Sequence, residues 1–213
     1  MVSAIFIDRD GTIIKEKNYI SNPKQVELLS HSIEGIKLLR AAGFKLFVVT
    51  NQSGISRGWF SIDDLHSIHT RLLEMIKLED TLVDKIYFCP HRQEDNCACR
   101  KPKPGMINQA QTEFNIDLSH SYIIGDRSED IELGKALKLP NVLVLTGYGR
   151  RTLKISHPES DIPALQNLKT NTQKLTESDE ILSEHGIKTL RPVNPDFVAN
   201  NLLEAAQWIC QQK

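Results

Sequence analysis

No stretch of this 213-residue chain approaches the ~18 consecutive apolar residues that a membrane-spanning helix requires. The opening, MVSAIFIDRDG, has no basic n-region and only a short apolar run, so it does not read as a signal peptide. An excess of either charge is missing too. The formal net charge is −1 at pH 7, which gives no general attraction to nucleic acid or anionic membrane. There is no internal repeat and no long low-complexity tract. Cysteine is scarce, at four residues. What remains is ordinary for a soluble globular protein, with 40% hydrophobic and 25% charged residues. The expectation is one α/β domain over residues 1–213, cytoplasmic and monomeric. Its partner would be a small molecule, with no nucleic acid and no membrane.

Five short apolar runs punctuate the chain: SAIFI (3–7), KLFVV (45–49), KIYF (85–88), SYIIG (121–125) and NVLVL (141–145). Their length is that of strands, and their near-continuous apolarity predicts burial on both faces. Segments of helical period lie between them. Residues 32–42 carry Ile33, Ile36, Leu39 and Ala42, with Gly43 as a stop. Ser61 and Asp64 form an N-cap signature ahead of Leu65, Ile68, Leu72 and Met75. Pro104 suits the start of a helix carrying Ile107, Ala110 and Phe114, and residues 129–138 are helical in composition. This alternation predicts a Rossmann-like parallel sheet with helices on both faces and no large cap domain.

Polar clusters follow the strands. The first strand leads into Asp8-Arg-Asp10-Gly-Thr12, the second into Thr50-Asn51-Gln52-Ser53-Gly54, and the fourth into Gly125-Asp126-Arg127. In open parallel sheets ligands sit beyond the carboxyl ends of the strands, so these clusters converge on one edge. An EF-hand is excluded because Gly11 stands at the fourth position from Asp8, whereas that loop needs its glycine at the sixth. Asp8, Asp10 and Asp126 would repel one another without a cation. Mg²⁺ is the hard, oxygen-seeking ion that such a set suits.

The third strand leads into CPHRQEDNCACRKPKPG (89–105), which holds Cys89, His91, Cys97 and Cys99 beside Arg92, Arg100, Lys101 and Lys103. Four ligands would close a tetrahedral Zn²⁺ shell, whereas a catalytic zinc keeps a position open for water. Disulfide pairing and free thiols are the alternatives, and a reducing compartment disfavours the first. The expectation is a structural zinc loop over 89–103 that mounts Arg100 and Lys101.

In this order and spacing, DRDGT, TNQSGISRG, CRKPKPGM and GDRSEDI resemble the haloacid dehalogenase superfamily of aspartyl-phosphate phosphatases. The nearest likeness is to the group of heptose bisphosphate and histidinol-phosphate phosphatases, over residues 1–150 and 195–210. The resemblance implies that Asp8 is the nucleophile and Asp10 the general acid and base. It also implies Mg²⁺ on Asp8, Asp126 and the Asp10 carbonyl, with Thr50 and Lys101 holding the phosphoryl group. Asn51, Gln52, Ser53, Arg100, Arg127, Glu16 and Tyr19 would contact a phosphorylated sugar. Many members of the group carry zinc on the cysteine loop. A bisphosphate needs a second anion site, which Arg100 and Arg127 could supply, and this favours loss of the C7 phosphate of D-glycero-D-manno-heptose 1,7-bisphosphate over histidinol phosphate. A phospho-receiver switch is the alternative of another class, but its phosphorylated Asp ends a different strand.

Some residues read as structural. Asp130 is taken as a support behind the metal ligands or as helix N-terminal charge rather than a metal ligand, and His66 and His69 as surface or satisfied residues. Residues 151–195, polar and carrying four prolines, read as an insertion or mobile loop, with SDEILSEHGI as a short helical turn. DFVANNLLEAAQWI (196–209) reads as a closing helix.

Overall fold

Alternate residues of the first apolar run go to opposite sides. Ile5 and Ile7 join one core layer, while Ala4 and Phe6 join another. That two-sided burial fixes strand β1 (Ala4–Ile7) as an interior strand. In the computed structural model, which describes residues 1–156 and 192–212, β1 is flanked by β2 (Lys45–Asn51) and β4 (Tyr122–Gly125). The strands β3 (Lys85–Cys89), β5 (Asn141–Val144) and β6 (Phe197–Ala199) complete a parallel sheet in the order β3-β2-β1-β4-β5-β6.

Helices cover both faces. One layer buries Ile36 and Leu39 of α1 (Ser32–Ala41), Ile68, Leu72 and Ile76 of α2 (Ile62–Lys77), and Leu202, Ala205 and Ile209 of α6 (Leu202–Gln211). The other takes Met106, Ile107 and Ala110 of α3 (Gly105–Phe114) and Leu133 of α4 (Ser128–Leu137). A small cluster under α5 (Gly149–Ser156) packs Leu153 on Leu143. The capping box of α2 is complete: Ser61 Oγ accepts from Asp64 N at 3.0 Å, and Ser61 N donates to Asp64 Oδ2 at 2.8 Å.

Two sequence expectations change. The segment 196–209 is not one helix, because Phe197–Ala199 forms β6 beside β5, and Asn201 then caps α6 by accepting from Glu204 N. The adjacent asparagines interrupt the helical period, and Phe197 stacks on Trp208 at 4.9 Å from across that break. Residues 151–156, expected within a loop, continue α5, with Thr152 and Leu153 buried. The helical turn expected at SDEILSEHGI lies outside the described residues. No separate cap domain is present among the described residues, and no described helix is long and apolar enough to cross a membrane.

Strand order reverses at β1, running through β2 to β3 on one side and through β4 to β6 on the other, so a crevice opens beyond its carboxyl end. Asp8 and Asp126 stand there, directly after the paired residues Ile7 and Ile124 and the adjoining Gly125.

Phe47 anchors the α3 layer, its ring meeting Phe6, Tyr87 and Phe114 at centroid distances of 5.8, 6.2 and 4.8 Å. Phe47→Ala is expected to cost about 3–5 kcal/mol, seen as a lower urea midpoint at unchanged slope.

Candidate active site

Lys101 is a long cationic side chain buried to 4% exposure, and all three of its ammonium hydrogens have acceptors. It donates to Asp8 Oδ1 at 2.5 Å, Asp130 Oδ1 at 2.6 Å and the Val49 carbonyl at 2.8 Å. Its backbone is tied to the end of β2, where Asn51 Oδ1 accepts from Lys101 N at 3.0 Å and Asn51 Nδ2 donates to Lys101 O at 3.2 Å. The Lys101–Pro102 peptide is cis. Asn51, expected to line the pocket, thus spends its amide on positioning Lys101.

Asp126 is fully buried, and its Oδ2 accepts from Tyr148 N at 2.7 Å. Its Oδ1 has no hydrogen-bond partner. The loops bearing Gly11 and Gly147 close tightly around this carboxylate. Both glycines have positive φ, 79° and 52°, and a Cβ on either would stand 2.2 Å from Asp126 Oδ2. Carboxylate oxygens of Asp8, Asp126 and Asp130 lie within 4.8 Å of one another. Three buried acids so close together, with one ammonium shared by only two of them and a buried oxygen left over, suit a hard divalent cation. Asp130 is the least available of them, because its Oδ1 serves Lys101 and its Oδ2 accepts from Arg127 N at 3.1 Å. It sits at the N-terminal turn of α4, as the sequence reading had it.

Asp10 is held separately. The Arg9 fork donates through Nε and Nη2 to its two oxygens at 3.0 Å each, and Gln52 Nε2 donates to Oδ2 at 2.9 Å. Thr50 Oγ1 approaches the same oxygen at 3.5 Å and accepts from Gln52 at 2.7 Å. Gln52, expected to face substrate, therefore turns toward Asp10, and Ser53 is buried. Arg9 itself is 1% exposed, and its third nitrogen, Nη1, meets His69 Nε2 at 3.0 Å. An arginine can only donate, so His69 accepts as the neutral imidazole.

Burial pushes the Asp8 carboxyl up to about 6, with Lys101 pulling it back. Burial likewise raises Asp130, and raises Asp126 well above its ordinary value against the pull of Arg127. Burial acts upward on Asp10 as well, but the Arg9 charge and the Arg9 and Gln52 hydrogen bonds outweigh it and hold the group low. Desolvation and the Arg9 charge drive His69 down to about 3.

The rim carries the remaining expected residues. Arg127 lies over the Tyr148 ring at 4.0 Å and donates to Glu16 Oε2 at 3.2 Å, while the Tyr148 hydroxyl donates to Asn18 at 2.7 Å. Tyr19 packs edge-on against the exposed Trp59 at 4.2 Å. Arg100 diverges from its neighbour Lys101, donating to the His91 carbonyl at 3.1 Å. It borders a cavity of about 310 Å³ lined also by Gln93, Asn96, Lys103, Glu129 and Glu132. That cavity touches Lys101 but none of Asp8, Asp10, Asp126 and Asp130, so the crevice at the strand ends is the better candidate for the chemistry.

Cys89, His91, Cys97 and Cys99 gather as expected. Their sulfurs are 3.2–3.5 Å apart, and His91 Nδ1 is 3.6 and 3.3 Å from Cys89 and Cys99. No pair is bonded as a disulfide. A tetrahedron with bonds of about 2.3 Å has edges of about 3.8 Å, so the donor set fits a closed Zn²⁺ shell with a small outward shift of the sulfurs.

Sequence reasoning did not single out Arg9 or Tyr148 and left His69 as a surface or satisfied residue. For Arg9 the signal was its place between two acids. For His69 it was the i+4 relation to Leu65, on the buried stripe of α2.

A family model described as HAD-hydrolase-like matches residues 98–169. The D-glycero-beta-D-manno-heptose-1,7-bisphosphate 7-phosphatase of Pasteurella multocida is 43% identical over 154 residues, 69% of this chain and 84% of that protein. Its Helicobacter pylori (strain J99) namesake is 41% identical over 155 residues, 72% of this chain and 87% of that one. Among solved structures, the D,D-heptose 1,7-bisphosphate phosphatase of B. bronchiseptica, complexed with magnesium and phosphate, superposes with a TM-score of 0.74. It is 26% identical and covers 99% of both chains.

The sign of the pH dependence follows from the raised acids. Between the ordinary carboxyl value, 3.8, and about 6, the folded chain keeps a proton on Asp8 that the unfolded chain has released. Stability of the metal-free protein therefore falls as pH rises through that window, and Asp126 and Asp130 act in the same sense. Saturating Mg²⁺ should raise the melting temperature more at pH 7 than at pH 5, as differential scanning fluorimetry would record. An equal shift at both values would contradict the assignment.

Proposed function

The chain belongs to the D-glycero-D-manno-heptose-1,7-bisphosphate 7-phosphatase family of HAD-type hydrolases, and on that premise we propose that it removes the C7 phosphate of that sugar bisphosphate in a Mg²⁺-dependent reaction. The observation that carries this reading is the buried Lys101 ammonium, locked to Asp8 beside the unpartnered oxygen of Asp126. A cation and a divalent-ion site at one carboxylate form a cradle for a phosphoryl group.

In the proposed reaction a carboxylate oxygen of Asp8 attacks phosphorus, and the bond from phosphorus to the sugar oxygen breaks. Asp10 gives that oxygen its proton. Water then attacks the phosphorus of the aspartyl-phosphate, Asp10 takes the water proton, and the Asp8–phosphorus bond breaks to release phosphate. The Arg9 and Gln52 contacts favour the carboxylate of Asp10, the form the second half needs. The charge of an arriving phosphate dianion acts in the opposite direction and favours the acid. Mg²⁺, held by Asp8, Asp126 and the Asp10 carbonyl, would supply charge neutralisation at the phosphoryl oxygens.

Lys101 and Thr50 would hold the transferring group. Arg100 and Arg127 suit the second phosphate, and Glu16, Tyr19, Asn51 and Ser53 lie in the segments that would border the sugar. The cysteine loop acts as a structural clip. Zn²⁺ on Cys89, His91, Cys97 and Cys99 would fix the backbone just before Arg100 and Lys101, and residues 89–103 form one small zinc-binding loop on a single domain.

Phosphate release from D-glycero-D-manno-heptose 1,7-bisphosphate should exceed that from histidinol phosphate by about 100-fold in kcat/KM. Asp8→Asn should lose activity by about 10³-fold or more. A preference for histidinol phosphate would overturn the substrate. A stable phospho-protein without turnover would overturn the reaction.

Zinc removal provides a separate check. Chelation is expected to lower activity and raise hydrogen exchange across residues 89–103, with added Mg²⁺ restoring neither. Full activity in a zinc-free, Mg²⁺-loaded protein would refute the structural clip.

A further inference from the structure

Arg9 is the largest fully buried side chain of the described residues, yet it sits in a loop between two acids rather than in the hydrophobic core. A buried guanidinium is costly unless each of its donors is matched. Two of its nitrogens are matched by Asp10, at 3.0 Å each. The third reaches 60 residues along the chain to His69, on the buried side of α2. His69 is fixed in turn, being 7% exposed with its ring against Phe88 at 5.8 Å.

We propose that His69 is a positioning residue for the reaction: its Nε2 pins Arg9, so that the guanidinium fork aims the Asp10 carboxylate at the leaving oxygen. The role rests on Asp10 being the general acid and base of the proposed phosphatase. A fork bonded only to the carboxylate can move together with it, whereas one held at Nη1 by a second group, on α2, keeps a fixed plane. Loss of the acceptor would leave Nη1 an unpaired buried donor and free the fork to swing toward another partner. The alignment of Asp10 would go with it, and proton transfer demands heavy-atom approaches within hydrogen-bond reach. Gln52 also supports Asp10, but through one oxygen only, Oδ2.

A structural histidine and a positioning histidine differ in which substrates they affect. The ratio kcat/KM reports events up to departure of the alcohol, and 4-nitrophenolate departs without needing a proton, unlike a sugar alkoxide. In the full-length Mg²⁺-loaded protein, His69→Met should lower kcat/KM on the sugar bisphosphate about tenfold or more, and on 4-nitrophenyl phosphate less than about threefold. His69→Gln, which offers an acceptor oxygen at similar reach, should recover the sugar bisphosphate rate to within about threefold of wild type. Arg9→Lys keeps the charge without the fork and should show the same selective loss, which keeps the test decisive if His69→Met does not fold. Proportional losses on both esters, or a glutamine variant no better than methionine, would overturn the role. A wild-type chain inactive on both esters would instead overturn the phosphatase reading beneath it.

Discussion

The Lys101 ammonium is the point on which the strand ends depend. It binds β1 through Asp8, β2 through the Val49 carbonyl and α4 through Asp130, while its own backbone is fastened by Asn51. Buried ion pairs stabilise poorly, since desolvation costs several kcal/mol per ion, of order what their attraction returns. Here the compensation is also incomplete, with Asp126 adding a third acid whose Oδ1 is unsatisfied. A chain optimised for stability alone would replace this cluster with packed apolar side chains. Its presence marks a fold that gives up stability to hold charge in readiness for an anionic substrate.

Most of the sheet was legible because near-continuous Ile, Val and Phe runs bounded by turn residues leave little choice. The polar clusters after the first, second and fourth strands converge as that reading required. The sixth strand was missed for a physical reason. Three residues of β6 are too short to establish a period of two, and their pairing with β5 is decided by tertiary contact rather than local propensity. The start of the 151–195 segment was misread in a similar way. Four of its first six residues are polar (Arg151, Thr152, Lys154 and Ser156), and the packing of Leu153 against Leu143 is what fixes it as a helix.

Within the site, side-chain identity was readable but direction was not. DRDGT shows its acids, yet nothing in the letters says that Asn51 turns to a backbone or that Gln52 turns to Asp10. Adjacent Arg100 and Lys101 look like one basic patch in sequence, but the first lies along the cysteine loop and the second goes into the acids. Arg9 was hidden by the residues that give it its role, because a cation between two strong acid signals reads as a spacer.

The strand order has a consequence in time. Asp8 is made early, but Lys101 lies 93 residues further on, and the β4 strand that aligns Asp126 beside it is later still. Closing such long separations is the slow part of assembling a parallel sheet. During synthesis Asp8 therefore has neither the Lys101 ammonium nor the Asp126 carboxylate to complete its site. The reactive centre comes into being only once most of the chain has been translated, so a truncated or half-folded product carries the motif without the cradle.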